Sequence, residues 1–196
     1  IREKESHVLL SLADLYTGYL TDSTISPAQY AEMFEAVLVG DNPATLDSQV
    51  ARAVWTRIQD LAGRHRFFHW AVEFPDVYSD GVGGFNATVG NPPWDVLQPN
   101  SQDFYKQYDG DFRKYNKQSA LKRIKELHKT HPILDDKWSN FANSFEEAAD
   151  YCKEPEAYTC LCMGKIDLYK AFLERFFQLL INDGYLGIVV PSGLYT

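Results

Sequence analysis

The chain has 196 residues, 45% of them hydrophobic, and a formal net charge of -8. That is enough apolar material for a substantial core and agrees with a globular piece, while no apolar run approaches the ~18 residues a membrane helix needs, so no membrane-spanning helix is expected in it. The acidic balance also excludes a protein that clamps nucleic acid over its whole surface, because phosphate contact needs a local excess of Lys and Arg.

In chain order, residues 1–66 read as a helical region. Val8 to Leu20 is one helical run, Ser26-Pro27 supplies a cap and first-turn signal for Ala28–Val39, and Ala44–Leu61 is a third. Leu12, Leu15, Tyr16 and Tyr19 form one apolar stripe, and Tyr30, Met33, Phe34 and Val37 another, as packing faces do. Phe67–Phe74 and Phe85–Val89 have the apolar and aromatic content of strands, and Asp80-Gly81-Val82-Gly83-Gly84 between them reads as a hairpin or bulge loop. A long polar and aromatic stretch follows Trp94, too long for an ordinary connection, with helices expected around Ser101–Tyr108, Ser119–His131 and Ser144–Tyr151. It carries a basic run: Arg113, Lys114, Lys117, Lys122, Arg123, Lys125 and Lys129 against the single acid Glu126. That run is either a solvated helix face or a surface for a nucleic-acid phosphate backbone, with Lys114, Lys117, Lys122 and Arg123 as candidate contacts. Cys152, Cys160 and Cys162 make no disulfide framework and fit a reducing, cytoplasmic setting. Together with His128 and His131 they lack a usual zinc spacing, so no metal is expected. A helix over Leu168–Asn182, stopped by Asp183-Gly184, then leads into a buried strand at Tyr185–Val190.

The chemistry is concentrated at Gly90-Asn91-Pro92-Pro93-Trp94. Two prolines fix φ and remove two N–H donors, so neither a ladder nor a helix continues past Asn91, and its side chain is presented in one place. An exocyclic amine on an aromatic base is a poor nucleophile because its lone pair is delocalised into the ring. The Asn91 side-chain oxygen and the Pro92 carbonyl are two acceptors able to bind both N–H bonds and localise that pair. Trp94 offers a face on which an extruded base can stack, worth about 1–3 kcal/mol. As a bare sequence, Asn-Pro-Pro-Trp is equally a turn.

Phe85-Asn86-Ala87-Thr88-Val89-Gly90-Asn91-Pro92-Pro93-Trp94, preceded by Phe68 to Pro75, resembles the fourth motif of the amino-methyltransferases of DNA, particularly the large adenine methylases of restriction and phage-defence systems. Gly164 to Arg175 is similar to that family's fifth motif and the helix it opens, and Asp183 to Ser192 to its sixth. The resemblance implies an α/β fold: part of a Rossmann-like class I methyltransferase sheet over residues 67–196, with the helical region 1–66 before it and a helical insertion at about 95–160, placed to cover the tip. It also implies transfer of a methyl group from S-adenosylmethionine to the amine of a flipped adenine in double-stranded DNA, with Asn91, Pro92, Pro93 and Trp94 as catalytic residues. Gly90 and Asp167 are candidate cofactor contacts; Lys165 and Asp167 would lie near the cofactor or base pocket, and either could equally be a helix cap or a surface charge. The family's Gly-rich cofactor loop and second-strand acid are not found before Asn91. The chain, which starts without Met, is therefore expected to be an inactive fragment of a longer enzyme that carries the cofactor and target-recognition regions elsewhere. Methylation of a protein glutamine or of an RNA amino group, and a purely structural role, remain alternatives.

Overall fold

The computed structural model describes residues 2–78, 83–161 and 164–194, with side chains from residue 7 onward. Two compact units emerge, Ile1–Val96 with Asp150–Thr196, and Leu97–Ala149.

The first unit opens with three helices, α1 (Arg2–Thr21), α2 (Pro27–Val39) and α3 (Gln49–His65). The start of α2 is fixed by a capping box. The Ser26 hydroxyl accepts from the Gln29 N–H, the Gln29 side chain accepts from the Ser26 N–H, and Pro27 occupies the first turn. Gly40 at φ 86° ends the helix in the left-handed conformation that suits glycine. The third expected run divides into a short 3-10 turn at Pro43–Thr45 and α3, because Ser48 caps a new start through the Ala51 N–H. Leu15, Ile25, Met33, Ala51, Val54 and Ile58 interlock as the core of this trio.

Asp22, only 8% exposed, closes the α1–α2 turn by accepting from the Thr24 N–H and hydroxyl and from Arg57 of α3 at 2.9 Å. Burial alone would raise its pKa, but the Thr24 and Arg57 hydrogen bonds outweigh that and hold the carboxyl below the usual carboxylate range. A lowered folded-state pKa contributes stability above the unfolded value, ~4, and that contribution disappears as pH falls through the lowered one. Asp22→Asn is therefore expected to cost roughly 1–2 kcal/mol at pH 7, Arg57 being half-solvated, and much less at pH 3. Denaturant titration of both proteins at the two pH values measures this.

The strand expected at Phe67–Phe74 is not formed. Trp70–Glu73 is a helical turn, α4, and Pro75–Tyr78 another, α5. Helical spacing stacks Trp70 on Phe74 with ring centroids 5.7 Å apart, and both meet the edge of Phe85. This aromatic packing overrides the strand propensity of the same residues. Phe74, forced by Pro75 to a non-helical conformation, separates the two turns. Residues 80–82 of the expected hairpin or bulge loop, 80–84, lie outside the described residues. With two helical turns over 70–73 and 75–78, no strand among the described residues stands before it to complete a hairpin.

β1 (Phe85–Gly90) pairs in parallel with β2 (Leu180–Ile188), and α9 (Leu168–Gln178) precedes β2. The expected helix over Leu168–Asn182 is thus four residues too long. The Phe85 N–H donates to the Leu179 carbonyl at 2.8 Å, which draws the following residues into the ladder. Asp183-Gly184 does not stop a helix but sits in an irregularity of β2: Phe85 faces Leu180 while Ala87 faces Tyr185. Among the described residues the sheet is this one parallel pair; the wider Rossmann-like sheet implied by the resemblance is not seen there. No helix among the described residues is long and apolar enough to cross a membrane.

The second unit contains α6 (Ser101–Tyr105), a 3-10 turn at Phe112–Lys114, α7 (Lys117–Thr130) and most of α8 (Leu134–Lys153). Its core is Phe104, Tyr105, Phe112, Leu127 and Leu134, flanked by Trp138 and Phe141. The expected helix at Ser144–Tyr151 starts ten residues earlier. Leu134, Trp138, Phe141 and Phe145 recur at helical spacing and carry it back to Leu134. Buried Tyr105 pairs through its hydroxyl with His128 Nε2 at 2.8 Å, and His128 Nδ1 meets Asp135 at 2.5 Å, which joins α6, α7 and α8.

Candidate functional site

The tip is a four-residue segment held at both ends. On the upstream side the ladder closes at Gly90, whose carbonyl accepts from the Val189 N–H at 3.1 Å. Pro92 and Pro93 have no N–H to extend it. On the downstream side the Asp95 carbonyl accepts from the Leu168 N–H at 2.9 Å, and Val96 forms an antiparallel bridge with Asp167. The strand that precedes the tip and the start of α9 therefore fix Asn91 to Trp94 between two rigid anchors, an arrangement suited to a site that must be preorganised.

Within that segment Pro92 is buried, and Asn91, Pro93 and Trp94 are exposed, Trp94 at 53%. The Asn91 side chain has no hydrogen-bond partner among the described residues, so its amide is available to an external group. Gly90 has a packing reason to be glycine: a Cβ there would lie 2.7 Å from the Phe176 ring of α9. Asp167 stands at the N-terminus of α9 without a side-chain capping bond and pairs with Lys170 at 2.7 Å, which raises the Lys170 pKa. Lys165 is exposed.

The fourth and fifth sequence motifs are thus brought together, Asp167 lying against the residue two past Trp94. A Cβ at Gly90 would meet Phe176, and the Asp167 carboxylate pairs with Lys170. The anchoring roles of Val189, Asp95 and Leu168 are not legible in the motifs because these residues act through the backbone. A mostly apolar groove of about 660 Å³ runs along α9, lined among others by Leu161, Leu173, Glu174 and Phe177; Asn91 and Trp94 are not part of it.

Lys114, Lys117, Lys122 and Arg123 all lie in the second unit. Lys114 pairs with Asp111 at 2.6 Å, and Arg123 with Asp109 at 2.6 Å and Glu126 at 3.3 Å. The Arg123 hydrogen bond holds the Asp109 carboxyl below its usual range. Lys117 and Lys122 have no ion-pair partner among the described residues.

The family model of the Eco57I restriction-modification methylase matches residues 14–125, more than half of the chain, a span that starts within α1, takes in α2, α3, β1 and the tip, and ends within α7. No curated protein and no solved structure matches.

Proposed function

Given that the chain belongs to the Eco57I restriction-modification methylase family, we propose that it is the amine-holding part of a site-specific DNA adenine-N6 methyltransferase serving restriction-modification or phage defence. The observation that carries this reading is the doubly anchored Asn91-Pro92-Pro93-Trp94 tip, with an Asn91 amide that no described residue engages. S-adenosylmethionine supplies the methyl group. Asn91 Oδ1 and the Pro92 carbonyl accept from the two N–H groups of the adenine amine and localise its lone pair on nitrogen; as the N–CH3 bond formed, the sulfonium S–CH3 bond would break, S-adenosylhomocysteine would leave and one amine proton would pass to solvent. Trp94, half-exposed, stacks the base after it leaves the duplex and offsets part of the unstacking cost. Double-stranded DNA is the partner, and the target sequence is read by regions beyond the described site.

The acceptor class is tested by offering the full-length protein labelled S-adenosylmethionine with an equal mixture of unmethylated genomic DNA, total RNA and a release-factor protein. Label is expected in the DNA alone. Label in RNA or protein, or in none of the three, would overturn the reading.

A further inference from the structure

Among the cations of the second unit, pairing separates two groups. Lys106 and Arg113 both pair with Asp103, Lys114 with Asp111 and Arg123 with Asp109, at separations of 2.6–2.9 Å. Lys122, Lys125 and Lys129 have no such partner among the described residues and are all exposed. They are spaced three and four residues apart on α7, which places them on one face of the helix, continued toward its N-terminus by exposed Gln118. Glu126, the one acid on that helix, is turned to Arg123 at 3.3 Å. Leu121, 54% exposed, borders the stripe.

Such a row of unpaired ammonium groups is unusual in a chain of net charge -8, where carboxylates are in excess. Along the axis the three lysines are about 4.5 and 6 Å apart at the rise of an α-helix. A DNA strand carries a phosphate about every 3.4 Å of axis, so each ammonium can meet a different phosphate. We propose that Lys122, Lys125 and Lys129 form the face of α7 that contacts the DNA phosphate backbone, whereas Lys114 and Arg123 are engaged by carboxylates of the second unit. The inference rests on the DNA-methylating reading above and names the contact surface for that substrate. Phosphate contacts of this kind give register and affinity without sequence information.

The test is fluorescence anisotropy of the full-length protein on a labelled unmethylated duplex over a series of salt concentrations, beside methyl transfer to the same duplex. K122Q/K125Q/K129Q is expected to reduce the slope of log affinity against log salt by about 2.7, three contacts at about 0.9 each. K106Q/K114Q, which removes two paired lysines, is expected to leave the slope unchanged. All three substituted lysines of the stripe are solvent-facing, so thermal unfolding should match the parent. An unchanged slope in the triple variant, or an equal loss in K106Q/K114Q, would overturn the assignment while wild-type methylation kept the DNA reading intact. A wild-type protein that neither binds nor methylates the duplex would overturn both.

Discussion

Replacement of Asn91 by alanine is expected to reduce methyl transfer by about 10²–10³-fold or more while leaving the fold and DNA affinity in place. The side chain makes no hydrogen bond to another described residue, so its loss breaks none within the protein. It is also exposed, and truncation opens no cavity. What disappears is one of two acceptors that reshape the amine, an interaction strongest in the transition state, so the loss belongs in kcat. Trp94→Ala should behave differently: stacking holds the flipped base before and during transfer, so the change falls mainly on KM, by about 10–100-fold. Steady-state kinetics with a thermal melt of each variant separates the two effects. An Asn91→Ala protein with near-normal kcat would remove Asn91 from the chemistry.

Gly90→Ala should be damaging for a different reason. The new Cβ would stand 2.7 and 2.8 Å from two atoms of the Phe176 ring, well inside van der Waals contact. Either the ring leaves its place on α9 or the end of β1 moves, at a cost of about 1–3 kcal/mol. Movement of β1 carries Asn91 with it, and a displacement near 1 Å can cost about 10²-fold in rate. The double variant Gly90→Ala/Phe176→Leu makes room for the methyl group and is expected to recover most of the stability and rate. Double-mutant denaturation and single-turnover rates test this; failure of Phe176→Leu to rescue would show that the ring is not what confines the tip.

Much of the local structure was legible because its signals are local. Ser26-Pro27 with Gln29 announces α2, and the prolines at 92 and 93 announce the end of β1. Phe67–Phe74 misled because its strand-favouring aromatics are held instead by Phe85, a residue more than ten positions away. Asp183-Gly184 reads as a helix stop in isolation, but the pairing of Phe85 ends the helix earlier and leaves the pair within β2. At the site, Asn91 and Trp94 were visible in the motif, whereas the second anchor, Asp95 to Leu168 and Val96 to Asp167, joins segments about seventy residues apart through backbone groups that any residue carries. The basic run was equally visible, but which of its members are tied to Asp103, Asp109 and Asp111 depends on the packing of the second unit.

The position of the transferred methyl group bears most directly on the central proposal. Unmethylated genomic DNA treated with the full-length protein and labelled S-adenosylmethionine, then digested to nucleosides and resolved by mass spectrometry, should yield label as N6-methyladenine, and none from the Asn91→Ala protein. Label on the cytosine amine would contradict the adenine assignment, and label on a base carbon, or an Asn91→Ala protein that labels DNA as the parent does, would contradict the amine-holding role of the tip.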